Sequence, residues 1–106
     1  MRRILGILAV LSVSAVASSA ADAKAGQPVY DKACKSCHGV DGTPNPKIAK
    51  MLKLNMRDLR DPAVQAHLDP QWKKIILEGI GKMKPTKDVS AQQADDIVAY
   101  MRTMKK

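Results

Sequence analysis

Residues 34–38 read Cys-Lys-Ser-Cys-His, and no other feature of this 106-residue chain constrains its fold as strongly. Cys34 and Cys37 are its only cysteines, so the chemistry they share is confined to one turn of chain. A simple disulfide would use the two thiols and leave His38 idle. A thioredoxin-like dithiol needs a βαβ context, and no alternation of strand and helix patterns surrounds this motif. A tetrahedral zinc site would find three ligands here and need a fourth, usually from a second Cys or His cluster. The only other histidine, His67, stands alone. The remaining chemistry is covalent attachment of haem c. Two thiols three apart reach the two vinyl-derived carbons on one edge of a porphyrin, and His38 is then carried beneath the iron as an axial ligand.

Haem c is attached outside the cytoplasm, and the N-terminus gives that address independently. Arg2 and Arg3 precede an apolar run from Ile4 to Ala17, and small residues follow through Ala23. This is the layout of a secretory signal peptide over residues 1–23, with cleavage after Ala20 (S-x-A) or Ala23 (A-x-A). The run is shorter than the roughly 20 residues of a spanning helix, so stable membrane insertion of the mature chain is not expected. Removing Arg2 and Arg3 leaves 16 basic residues against 10 or 9 acidic ones, a net charge of +6 or +7. The lysines are scattered and the aromatics needed to stack bases are missing, which argues against nucleic acid. An acidic protein surface is the better partner for such a charge.

The domain that remains, residues 24–106, has one Trp, two Tyr and no Phe. Aromatic side chains ordinarily carry much of a small core, because each buries a large area. Hydrophobic content of the full chain is nevertheless 45%, too high for disorder. A covalently held porphyrin resolves the mismatch, as a large flat body that aliphatic stripes can wrap. The expectation is that the chain folds poorly without it.

The pattern is all-α. A helix is predicted from Gln27 to Cys37, with Pro28 in its opening turn and Gly39 ending it. A second runs from Asp69-Pro70 to Glu78, stopped by Gly79 and Gly81. Ser90-Ala91-Gln92-Gln93 is a capping box opening a third helix to about Met104. Shorter helices are predicted near Lys47–Lys53 and Pro62–Ala66, and no strand is read.

An iron held by His38 on one face needs a decision about the other. Met as second ligand gives a six-coordinate electron-transfer centre. Met101 and Met104 lie on the last helical stripe, and Met51 and Met56 in a basic, Leu-rich stretch. Met83 sits in an irregular loop, Gly79-Ile80-Gly81-Lys82-Met83-Lys84-Pro85, able to bring one side chain against a flat cofactor. It is the choice made here, with Met56 next. His67 reads as a surface residue and Trp72 as core. Arg57, Arg60 and Trp72 are candidate propionate partners, and Lys82, Lys84 and Lys87 a candidate basic collar.

Taken in order, these features resemble the small single-haem class I cytochromes c of bacteria and algae over essentially the whole mature chain. They are a helix leading into Cys34-x-x-Cys37-His38, a Gly/Pro loop, Met83 in a late Gly/Pro-bounded loop, and a final helix containing Ala99-Tyr100. The resemblance implies three to five short helices around one covalent haem c, with thioethers from Cys34 and Cys37 and iron held by His38 and Met83. It implies a close crossing of first and last helices at Gly26, Tyr30, Ile97 and Tyr100. It also implies a loop carbonyl accepting the His38 proton, from Pro46 or else Pro44. The family usually has Met followed directly by Pro, whereas Lys84 intervenes here. By this resemblance the chain is a monomeric one-electron carrier, not an enzyme. Its setting would be the periplasm, or the thylakoid lumen in a phototroph. The rival readings are a subunit of a larger dehydrogenase or oxidase complex, and a gas-binding or peroxidase-like haem protein with an open distal site.

Overall fold

The computed structural model describes residues 20–104. The proposed signal peptide up to residue 19 lies outside the described residues. Among those described the chain is helical, and its only β pairing is an isolated bridge between Ile80 and Met83. The helices are α1 (Ala23–Ala33), α2 (Lys35–His38), α3 (Pro46–Leu52), α4 (Pro62–Gln65), α5 (Asp69–Glu78) and α6 (Ala91–Met101).

The frame is the crossing of α1 on α6. Gly26 sits where the two backbones meet: a Cβ there would lie 1.9 Å from the carbonyl oxygen of Asp96, so only glycine permits the approach. One turn further, Tyr30 and Ile97 are completely buried. The Tyr30 and Tyr100 rings meet edge to face, with centroids 5.2 Å apart, a favourable arrangement for aromatic quadrupoles. The four residues expected at this crossing are therefore the ones that make it.

The first helix departs from its predicted span at both ends. It starts at Ala23 rather than Gln27, because Asp22 caps it by accepting from the Lys24 N–H at 2.9 Å. Pro28 thus lies inside the helix, where it lacks the N–H that would bond four residues back. At the other end the predicted single helix divides at Cys34, whose φ of −121° leaves the helical region. The last helix opens on the expected box: Ser90 Oγ accepts from the Gln93 N–H at 3.1 Å, and Gln93 Oε1 accepts from the Ser90 N–H at 2.9 Å. In α5 the cap is Leu68 rather than Asp69. Gln71 Oε1 accepts from the Leu68 N–H at 2.8 Å, and the Asp69 carboxylate is turned to Arg102.

Arg102, just past α6, ties the middle of the chain to its end. Its guanidinium donates to Asp69 Oδ1 at 2.8 Å, to the Gln65 carbonyl at 2.5 Å and to the His67 carbonyl. It also lies 4.1 Å over the Trp72 ring, a cation–π contact on a buried aromatic. Gln65 adds bonds from Nε2 to the carbonyls of Leu59 (2.8 Å) and Met101 (3.1 Å). These contacts seat Leu59, Val64, Trp72 and Ile76 against Ala94, Val98 and Met101 in one core.

Candidate functional site

The motif Cys34–His38 occupies the break after α1 and the whole of α2, so both thiols and the imidazole stand within a turn and a half of chain. Cys34 belongs to the core cluster and Cys37 is half-buried, and both thiols are free. Burial, together with the Cys37 thiol, pushes the Cys34 thiol up to about 11. Burial also holds the His38 imidazole below its ordinary value near 6.5. Burial of this kind favours the neutral ring, the form that ligates metals.

The chain after His38 is closely held. Gly39 has φ +75°, and a Cβ on it would come within 2.1 Å of the Thr43 carbonyl oxygen. The loop then returns to the motif, where the Asn45 N–H donates to the Cys37 carbonyl at 2.9 Å and Asn45 Nδ2 to the Ser36 carbonyl at 3.2 Å. Asn45 next caps α3 by accepting from the Lys47 N–H at 3.1 Å. Pro46 is the first residue of that helix. The sequence reading expects a Pro46 or Pro44 carbonyl to accept the His38 proton. Nδ1 of His38 is buried and bonded to nothing. A first-turn residue directs its carbonyl along its own helix, which is where α3 places that of Pro46.

Met83 comes from a separate segment. Gly79 ends α5 with φ +77°, and a Cβ there would lie 2.4 Å from the Met83 carbonyl oxygen. Ile80 and Met83 exchange both backbone bonds, at 3.0 and 2.9 Å, around Gly81 at φ +55°. The Thr86 N–H then donates to the Ile76 carbonyl at 3.0 Å, fastening the turn to α5. Met83 is half-buried while Lys82, Lys84 and Lys87 are all exposed around it.

The other candidates separate clearly. Met101 and Met104 are buried in the core, and Met104 Sδ packs at Gly42. Met51 is exposed and Met56 half-buried. His67 is exposed and engages Arg102 through its carbonyl. Trp72 is core, under Arg102. Arg60 is committed to Asp58 through two side-chain bonds, at 3.1 and 2.8 Å, while Arg57 is exposed. The Arg102 clamp was not foreseen, since its partners lie 33 to 37 residues away. Only the positive charge near a helix C-terminus could have hinted at it.

This donor set fits a haem. Two free thiols three apart adjoin an imidazole whose neutral form burial favours. Val40, two residues beyond the motif, and Ile80, in the Met83 turn, are large apolar side chains left 63% and 61% exposed. Zinc fits less well. Among the described residues no group of three or more His, Cys, Asp and Glu side chains is placed to hold a metal ion.

Comparison with known proteins bears on the same residues. A family model, cytochrome c, matches residues 23–105. Among solved structures the chain is similar to the KustC0563 c-type cytochrome. The two are 31% identical with a TM-score of 0.67, over 76% of this chain and 98% of that one. A tyrosine-to-phenylalanine mutant of Kustc0563 is similar at 28% identity and a TM-score of 0.64, with the same coverage. No curated protein matches the sequence.

Proposed function

Because the chain belongs to the cytochrome c family, and so is a haem c electron-transfer protein rather than an enzyme, we propose that it is a periplasmic one-electron carrier. Bound haem c supplies the Fe(II)/Fe(III) couple. Cys34 and Cys37 would hold it through two thioethers, and His38 and Met83 would ligate the iron. The observation that carries this assignment is His38 itself. It follows the two free thiols directly, and the Nδ1 atom of its half-buried ring is shut away from solvent with no hydrogen-bond partner.

Each residue has a physical task. The thioethers fix the porphyrin edge to α2. With the imidazole and the Met83 sulfur as its ligands the iron would keep no position for substrate, and the soft thioether would favour the reduced metal. Gly79 and the Ile80–Met83 bridge hold the sulfur's backbone in one place. Exposed Lys82, Lys84 and Lys87 give an acidic redox partner an electrostatic path to the site, and encounters of this kind use small, transient interfaces. The carrier acts as a monomer after loss of its signal peptide.

The test is the spectrum of the oxidised protein. A weak long-wavelength charge-transfer band, the signature of Met-ligated ferric haem, is expected in the wild type and in M56A and H67A, and lost in M83A. If M83A kept the band, Met83 would not be the ligand. Rapid CO binding by the reduced native protein at neutral pH would overturn the carrier reading altogether.

A further inference from the structure

Two cleavage points satisfy the small-residue rule at the end of the signal sequence, and the fold distinguishes between them. We infer that the precursor is cut between Ala20 and Ala21, so that the mature chain of 86 residues retains Asp22. This rests on the reading of the N-terminal segment as an export signal and goes on to assign its processing site.

Asp22 does three things at once. Its carboxylate accepts from the Lys24 N–H at 2.9 Å, capping α1. Its carbonyl accepts from the Gly26 N–H at 2.9 Å, the first bond of the helix. Its own N–H donates to Oδ1 of Asp96 at 2.9 Å, a bond spanning 74 positions of sequence. Asp96 is a buried acid, 8% exposed, and the other donor to that oxygen is Gln92 Nε2 at 3.1 Å. The backbone of this same Asp96 is the surface on which Gly26 rests. Asp22 therefore fastens the start of α1 to α6 at the point where the two helices are closest.

Cleavage after Ala23 would remove all three contacts. The first-turn N–H groups would lose their cap, and a buried carboxylate would lose one of its two donors, which is costly in a desolvated place. The new ammonium at Lys24 would stand at the positive end of the α1 dipole, where a cation is disfavoured. The local conformation agrees. Ala20 and Ala21 are exposed and non-helical, and Asp22 is extended at φ −121° and ψ 111°. The Ala20–Ala21 bond thus lies ahead of the helix and of its cap. The Ala23–Lys24 bond lies within the first helical turn.

The experiment expresses the full-length precursor in an exporting, haem-loading host and determines the N-terminus of the purified holoprotein by sequencing and intact mass. The expected first residue is Ala21. A first residue of Lys24 would overturn the inference while leaving the export reading intact. Retention of Met1 would overturn both. As a second measurement, holoproteins beginning at Ala21 and at Lys24 are compared by urea unfolding. The longer chain should have an unfolding constant roughly 3- to 30-fold smaller, the effect of one N-cap. Equal constants would remove the structural ground for the assignment.

Discussion

The hydroxyl of Tyr30, a residue with no exposed surface, donates a 2.8 Å hydrogen bond to the carbonyl of Gly39, the residue directly after His38. One side chain in the α1–α6 crossing thus also holds the exit from the haem motif. Packing of the frame and placement of the imidazole are coupled through a single ring.

Replacing that ring with Phe tests the coupling. Y30F keeps the edge-to-face contact with Tyr100 and removes only the donor, leaving a part-buried carbonyl unpaired. Holoprotein stability should fall by about 1–3 kcal/mol, measured by denaturant unfolding. A change below that range would mean that the Gly39 carbonyl finds water or another donor.

The same residue gives a pH dependence with a definite sign. Burial, chiefly, raises the Tyr30 phenol well above its ordinary value of 10. Above about pH 10 the unfolded chain therefore releases a proton that the folded chain keeps, and stability falls as pH rises. Wild-type protein should lose stability from pH 10 upward, and Y30F should lose less over the same range. Unfolding midpoints at pH 7, 10 and 11 decide it, with Tyr100 contributing equally to both proteins.

Gly26 allows no side chain. In G26A the methyl group would fall 1.9 Å from a backbone oxygen on α6, so the two helices must separate. Overpacking of this kind costs about 3 kcal/mol. The measured change should greatly exceed that of alanine at Gly81, where a Cβ meets nothing within 4 Å and only the positive φ opposes it.

Removing Arg102 should loosen the middle of the chain without touching the haem motif. R102A deletes three charge-assisted donors and the contact over Trp72. A loss of about 2 kcal/mol is expected, from hydrogen bonds to a charged group on a side chain still partly in water. R102K should recover less than half, because an ammonium cannot form the planar fork. The expected readouts are a lower unfolding midpoint and an unchanged ferric spectrum.

The basic collar predicts a salt effect. Electron exchange with an acidic partner should slow as ionic strength rises, and K82E/K84E should slow it by about tenfold at low salt. Rates that do not respond to salt would place the docking surface elsewhere.

What could be read from the chain, and what could not, divides along contact range. The Ser90–Gln93 box is a local pattern, and α6 opens where it says. The glycines that end α1–α2 and α5 are likewise local, and both stand at positive φ. The all-α fold and the Gly26–Tyr30 crossing follow from periodicity together with a family resemblance. The start of α1 was misplaced by four residues because Pro28 looks like an opening residue, while the true opening depends on Asp96 at the far end of the chain. Met83 was singled out by the glycines and proline around it, and those glycines do shape its turn. The Arg102 clamp has no sequence signature, since nothing local marks which carbonyls a guanidinium will find.

The turn that carries Met83 is closed by bonds it makes with itself and with the end of α5. Its neighbours Lys82 and Lys84 take no part in that closure through their side chains, which point the charge outward. The backbone holding the sulfur is therefore insulated from the charged side chains beside it. Substitutions of Lys82 and Lys84 can change the charge of this rim while the Met83 backbone stays in register.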